Sequence, residues 1–290
     1  MNTARTTSQK REDFFHLHRA GCFTIPNPWN IGTARCLEQM GFAALASTSS
    51  GHAYANGMPD GTQSLEMVLA HLSELAAAVN IPLNADFENG YADDIKQMQQ
   101  NVIKCVATGV AGLSIEDAPQ GAAAGLYDFD VAVSRVSAAR AAIDQTGERV
   151  LLTARTEGFI RGAPDLGQTT RRITAFVEAG ADCIYAPGIK TQEQISAVVK
   201  AAAGCPVNVL CGSALGMTVA ELEHLGVRRI SVGGALARVA IDGFLRVAQQ
   251  IAQEGRFDGF GGIIGGAELD RRFARESDAH ASDAIQTPAK

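Results

Sequence analysis

In the stretch Asn84-Ala85-Asp86-Phe87-Glu88-Asn89-Gly90-Tyr91, two acids close a short apolar run and a glycine follows. Side chains on a strand alternate faces, so Asp86 and Glu88 would point the same way. Two like charges on one face repel unless a cation or a proton lies between them, and a hard divalent ion such as Mg2+ meets that need. A polar strand end facing water is the other reading of this stretch. Similar groups follow other apolar runs: Asn27, the turn Ser47-Thr48-Ser49-Ser50-Gly51, Glu116 with Asp117, Arg155 with Glu157, and Asn208. Brought together, the acids could hold Mg2+ directly or through its waters. Arg155 offers a planar fork for a carboxylate, and the serine-rich turn offers main-chain N–H groups to the same anion. A 2-oxo acid fits such a site, chelating the metal while an enolate forms as a bond to the next carbon breaks. Arg155 in a buried ion pair with Glu116 or Glu157 is the structural alternative.

These residues gather only if the segments ahead of them are strands of one sheet. Gly41, Gly109, Gly180 and Gly226 each end a helical stretch and precede a short apolar run, the position of a left-handed helix cap. Between those four runs lie further strand candidates at residues 23–26, 81–86, 150–155 and 206–210. Helical spacing is expected over residues 13–20, 31–40, 63–79, 95–107, 131–143, 168–178, 192–203, 219–225 and 235–253. The strands are continuously apolar, as in a parallel sheet covered on both faces. Eight such repeats predict an α/β fold of the (β/α)8 barrel type, with an open doubly wound sheet as the alternative. Residues 1–12 read as a polar extension, 13–254 as the barrel, 255–273 as a glycine-rich excursion and 274–290 as a polar tail with the composition of disorder.

A chain of 290 residues, 46% of them hydrophobic, can bury a large core. The net charge of -6, without a Lys/Arg cluster, argues against a nucleic-acid partner. No apolar run reaches the roughly 18 residues of a membrane span, and no signal-peptide core follows the polar start. The six cysteines form no C-x-x-C pair, which points to reduced thiols in a cytoplasmic protein rather than a zinc site or disulfide framework.

The chain resembles the phosphoenolpyruvate mutase and isocitrate lyase superfamily over about residues 23–257. The resemblance is carried by Ser47-Thr48-Ser49 followed by Met58-Pro59-Asp60-Gly61, by Ala85-Asp86-Phe87-Glu88-Asn89-Gly90-Tyr91 in place of D-x-D-x-G-[YF], by Ser114-Ile115-Glu116-Asp117, and by Ala154-Arg155-Thr156-Glu157. It implies a Mg2+ site, or Mn2+ as a substitute, with Asp86 a direct ligand and Asp60, Glu88 and Glu116 acting largely through water. It implies that Ser47, Thr48, Ser49 and Arg155 hold the carboxylate of a small 2-oxo acid. It further implies a (β/α)8 barrel whose last helix swaps between subunits of a homodimer or homotetramer. Arg155, Asp60 and Glu116 are the expected catalytic set, and Asn208 an expected substrate contact.

One departure bears on the reaction. The lyase branch carries a K-[KR]-C-G-H loop after the fourth strand, and the mutase branch a lysine and an asparagine there. This chain has Pro119-Gln120-Gly121-Ala122-Ala123-Ala124-Gly125-Leu126. Isocitrate lyase activity is therefore not expected. Carbon–carbon cleavage or decarboxylation through an enolpyruvate-like intermediate leads, with phosphorus–carbon hydrolysis or phosphonomutase-type transfer as the alternative. A non-catalytic 2-oxo acid binding protein is the reading from another class. His52, Tyr54, Tyr91, Tyr127 and Tyr185 are candidates for a missing proton donor, and Gly233-Gly234 is either a phosphate-binding or a simple tight turn.

Overall fold

The computed structural model describes residues 5–121 and 125–274. Their strands are β1 (Phe23–Ile25), β2 (Leu45–Ala46), β3 (Leu83–Asp86), β4 (Gly112–Glu116), β5 (Leu151–Arg155), β6 (Cys183–Tyr185), β7 (Val207–Leu210) and β8 (Arg229–Ser231). All pair in parallel in one sheet, in the order β1-β8-β7-β6-β5-β4-β3-β2. At the two ends of that order, the Ala46 N–H donates to the Pro26 carbonyl at 3.1 Å, so the sheet is a nearly closed TIM-type barrel. Gly41, Gly109, Gly180 and Gly226 have φ of 88°, 91°, 97° and 90°, as left-handed helix caps require. Strands β2, β4, β6 and β8 begin a few residues past these caps.

The barrel helices are α2 (Ile31–Gln39), α3 (Ser49–Ala55), α4 (Leu65–Ala78), α5 (Ile95–Ala107), α6 (Phe129–Gln145), α7 (Leu166–Glu178), α8 (Gln192–Ala201) and α9 (Val219–His224). Their apolar faces and the outer faces of the strands form the main core, which includes Leu72, Phe87, Met98, Leu113, Ile173 and Phe176. A smaller core of Phe14, Ile25, Ala44, Ala46, Ala111, Leu151 and Cys183 involves the helix that precedes β1. A Cβ at Gly112 would lie 2.6 Å from the Phe14 ring and 2.7 Å from Asn84 Oδ1, so this strand residue must be glycine for Phe14 to seat.

That first helix, α1 (Thr7–Leu17), corrects the expected helix over 13–20. It starts well before residue 13, because Thr6 and Gln9 form a capping box. Within this helix Arg11 is buried and donates to the Val106 and Val110 carbonyls. The serine-rich turn is likewise the start of a helix, α3, with Thr48 Oγ1 accepting from the Gly51 N–H.

The chain divides at Arg238/Val239 into two compact units. Helix α10 (Ala235–Glu254) crosses the boundary. The described part of the second unit continues with a 3-10 turn (Asp258–Phe260) and α11 (Gly266–Phe273), and none of its described residues is buried. The expectation for residues 275–290 lies outside the described residues. No described helix is long and apolar enough to cross a membrane.

Candidate active site

Strand register sets the site. Asp86 pairs with Ser114 across β3 and β4, and Glu116 with Arg155 across β4 and β5. The same row continues from Arg155 through Tyr185 and Asn208 to Arg229. An inner cavity of about 160 Å³ is lined by residues including Ser47, Thr48, Ser49, Asp60, Asp86, Arg155, Tyr185 and Asn208. An outer cavity of about 410 Å³ shares Ser49, Asp60 and Arg155 with it and adds Glu88, Glu116, Glu157 and Arg161. Ser47, Thr48, Ser49, Asp60, Asp86, Glu88, Glu116, Arg155 and Asn208 each line one cavity or the other.

Arg155 is the hub. Its Nη1 donates to Asp86 Oδ1 at 3.1 Å and its Nη2 to Glu157 Oε2 at 3.2 Å, while Nε lies 3.3 Å from Glu116 Oε2 and also reaches Glu157 Oε1. The ring of Tyr185 lies under the guanidinium, 5.1 Å from its carbon. Burial works against the Arg155 charge, but Glu157 and Glu116 hold its pKa well above the ordinary value. The acids pay the complementary penalty. Desolvation, with smaller contributions from neighbouring carboxylates, raises Asp60 and Glu88, and it raises Glu116 well above the ordinary carboxylate range despite Arg155. Asp60 lies at the mouth, while Glu88 and Glu116 are buried.

This donor set is all oxygen and rich in unneutralised charge, which suits a hard cation. No three His, Cys, Asp or Glu side chains among the described residues stand close enough to hold one bare ion. Mg2+ commonly binds through one or two carboxylates and keeps several waters, so the spacing fits a hydrated ion rather than a fully protein-ligated one.

Glu88 reaches the site by a route the strand argument missed. Strand β3 ends at Asp86, and Glu88 has φ of 45°, so side-chain alternation does not relate the two acids. The turn that carries Glu88 is fixed from below. Arg135 of α6, fully buried, donates to the main-chain carbonyls of Asn89, Ala92 and Asp93, and Asn101 donates to that of Gly90 at 2.9 Å. Tyr91 then donates to Glu88 Oε1 at 3.1 Å, and Gln120 to Glu88 Oε2 at 2.9 Å. Such a left-handed non-glycine residue costs about 1 kcal/mol or more and is retained where surroundings over-determine it. Arg135 lies forty-odd residues from the motif it supports, and nothing in the local pattern signals it.

The remaining candidates sort by position. Asp117 is structural: its carboxylate accepts from Thr156 Oγ1, the Glu157 N–H and Arg172 Nη1 at 2.8, 2.8 and 3.1 Å. Tyr185 alone of the four tyrosines lines the inner cavity, its pKa pushed up to about 12 by burial. Tyr91 and Tyr127 are engaged with Glu88 and with Asp93 and Asn89. His52 lines neither cavity; it stacks on His71 with ring centroids 3.6 Å apart and pairs with Gln63. Gly233 and Gly234 line the inner cavity, and the main-chain N–H of Gly233 is taken by Asn27 Oδ1 at 2.8 Å. The loop over residues 119–126 is described only in part, residues 122–124 lying outside the described residues.

Asn208 is oriented by a group absent from the sequence reading. Arg229 Nε donates to Asn208 Oδ1 at 2.9 Å, and because a guanidinium can only donate, the amide oxygen must face it. The Asn208 NH2 group then faces Ser231 Oγ, at 2.9 Å, on the cavity side. Arg229 is buried, and its other partners are neutral: Thr153 Oγ1 at 3.0 Å and His18 Nε2 at 3.3 Å.

Comparisons with known proteins show the family and the fold. The phosphoenolpyruvate phosphomutase family matches residues 14–252. An uncharacterised protein of Mycobacterium tuberculosis is 30% identical over 76% of this chain and 81% of its own length. An oxaloacetate decarboxylase of Paraburkholderia xenovorans is 30% identical over 79% of this chain and 76% of its own. Among solved structures, a Burkholderia cenocepacia protein provisionally described as a lyase/mutase superposes with a TM-score of 0.89 at 41% identity, covering 93% of this chain and 97% of that one.

Proposed function

The chain belongs to the phosphoenolpyruvate mutase and isocitrate lyase superfamily, and on that premise we propose that it is an Mg2+-dependent enzyme breaking a carbon–carbon bond next to a small 2-oxo acid, by cleavage or decarboxylation. The observation that carries the reading is the convergence of Asp86, Glu116 and Glu157 on Arg155, with Asp60 and Glu88 beside them, at the C-terminal mouth of the barrel. In this reading Asp86 holds the ion directly, and Asp60, Glu88 and Glu116 hold its waters. When bound, the ion polarises the 2-oxo carbonyl and offsets the enolate charge.

The protein's own groups do the rest. Arg155 orients the substrate carboxylate with the residues Ser47, Thr48 and Ser49, its planar fork exchanging Asp86 and Glu116 for the ligand. Asn208 presents N–H to a substrate oxygen in the inner cavity, an orientation it keeps because Arg229 claims its carbonyl. In this reading Tyr185, which lines the inner cavity, returns a proton to the enolate carbon. Oxaloacetate decarboxylase among the relatives favours carbon–carbon over phosphorus–carbon chemistry.

The test is a screen of 2-oxo and 2-hydroxy di- and tricarboxylates and phosphonates with Mg2+, read by pyruvate release. Asp86→Ala should lower turnover of the active compound at least about a hundredfold. Unchanged turnover in that variant removes the metal assignment. Tight Mg2+-dependent oxalate binding with no turnover of any compound would instead identify a binding protein.

A further inference from the structure

Four residues that line the inner cavity, Tyr185, Asn208, Arg229 and Ser231, are joined by hydrogen bonds whose direction is set by one of them. Strand register puts Tyr185 beside Asn208 and Asn208 beside Arg229, and Ser231, two residues past Arg229, shares its face of β8. A guanidinium has donors only, so every hydrogen bond of Arg229 runs away from it. On one side Nη1 donates to His18 Nε2 at 3.3 Å, and Nη2 to Thr153 Oγ1 at 3.0 Å. His18 can accept there because it is neutral: burial first, and then Arg229 itself, hold its pKa down to about 3. Its Nδ1 lies 2.7 Å from the Phe14 carbonyl, which can only accept, so Nδ1 carries the ring proton and Nε2 the lone pair. Arg229 is thereby tied both to α1 and to β5.

On the other side Nε claims Asn208 Oδ1 at 2.9 Å, and the Asn208 NH2 donates to Ser231 Oγ at 2.9 Å. Ser231 is in turn hydrogen-bonded to Tyr185, and this bond works against the rise that burial gives the tyrosine pKa, as a donor to the phenol oxygen does. With Asn208 on the serine oxygen, the serine proton goes to Tyr185. The Arg155 guanidinium over the Tyr185 ring cannot accept, so the tyrosine O–H is left for a ligand in the cavity. We infer that Arg229 is a positioning residue for Tyr185: acting through Asn208 and Ser231, it turns the tyrosine hydroxyl proton toward the enolate carbon of the ligand. The inference rests on the proposed 2-oxo acid reaction, since it takes Tyr185 to be the proton donor. In that step the Tyr185 O–H bond breaks as a C–H bond forms with the electron pair of the enolate. The phenolate left behind accepts from Ser231, lies beside the Arg155 cation, and regains a proton from water.

The compound found active with Mg2+ tests it, with Ser231→Ala, Arg229→Met and Arg229→Lys each made alone and in a Tyr185→Phe background. Ser231→Ala should lower kcat about tenfold or more while KM and oxalate affinity stay within about twofold, since only the orientation of the donor is lost. Arg229→Met should lower kcat comparably, and Arg229→Lys, which keeps a donor for Asn208, by less. In the Tyr185→Phe background none should lower kcat by more than about a further twofold, because groups that act through one residue are not additive. Equally large losses in that background, or an unchanged kcat in Ser231→Ala or Arg229→Met, overturn the inference and leave Arg229 a structural part of the barrel interior. Full activity of Tyr185→Phe alone would refute the proton-donor reading, and the inference with it. A second readout needs no turnover: NMR of the protein isotope-labelled at tyrosine Cζ, in Mg2+, with the Tyr185 signal assigned by its loss in Tyr185→Phe. That signal should move in Arg229→Met and return toward its wild-type position in Arg229→Lys. A signal that stays fixed in Arg229→Met overturns the inference even if no compound turns over. If Arg229→Met does not fold, Arg229→Gln takes its place in both measurements.

Discussion

At the scale of single residues, the site is an electrostatic compromise made in favour of a ligand. Glu116 shows it most clearly: it is 5% exposed, and desolvation raises its pKa well above that of an ordinary carboxylate even though Arg155 is adjacent. A buried acid whose pKa is raised on folding destabilises the metal-free fold at any pH above that acid's unfolded pKa, because the unfolded chain ionises the same group freely in water. Glu116→Gln keeps the shape and removes the charge. We expect the melting temperature of this variant in EDTA to rise by a few degrees, equivalent to about 1 kcal/mol for a domain of this size. Mg2+ affinity should fall at the same time. Calorimetry and Mg2+ titration read the two effects separately, and a lower melting temperature in EDTA would mean that Glu116 is a net structural partner of Arg155 instead.

At the scale of elements, the barrel was legible in the sequence because its signals are local. A glycine cap followed by an apolar run is written within about ten residues, and repetition of that unit fixes the sheet. Asp86 and Glu116 were legible for the same reason, each closing its own strand, whereas Glu88 sits in the turn beyond β3 and Asp60 in a loop. What was not legible depends on contacts between distant segments. Arg135 lies in the middle of α6, and its pattern alone reads as a polar position on an amphipathic helix, yet it is fully buried beneath the turn that carries Glu88. Arg229 and Gly112 were hidden likewise, one taking the Asn208 carbonyl and the other making room for Phe14. Arg135 therefore supports a specific prediction. Arg135→Met leaves three main-chain carbonyls without their shared donor, at about 1–3 kcal/mol for a buried unsatisfied group. The melting temperature should drop by several degrees, and oxalate binding with Mg2+ should weaken through displaced Glu88 although Arg135 touches neither cavity. A variant that loses stability but binds oxalate normally would show that the turn's geometry does not set the metal site.

At the scale of the whole molecule, the second unit exposes large apolar side chains. Its described residues include Val239 and Phe244, each 69% exposed, and the exposed Leu245, Phe257, Phe260, Ile263 and Ile264. The Phe257 and Phe260 rings stack at 6.4 Å, so part of this apolar surface is already organised. Single exposed apolar residues are ordinary, but so many within one segment mark an interaction surface. We expect homodimers or homotetramers in which this segment is covered by another copy, consistent with the helix exchange that the family resemblance implies. Light scattering should then give a mass of two or four times 30.4 kDa for the wild-type protein. Phe244→Asp provides the discriminating case. A two-fold interface repeats every substitution, so losing about 1.5–3 kcal/mol of apolar burial per phenylalanine removes roughly twice that from the dimer. The dissociation constant should rise by about a hundredfold or more, with the substituted protein shifting toward the monomer mass on dilution. A wild-type protein that stays at the single-chain mass at micromolar concentration would refute the assembly, and an unshifted Phe244→Asp variant would place the interface elsewhere on the chain.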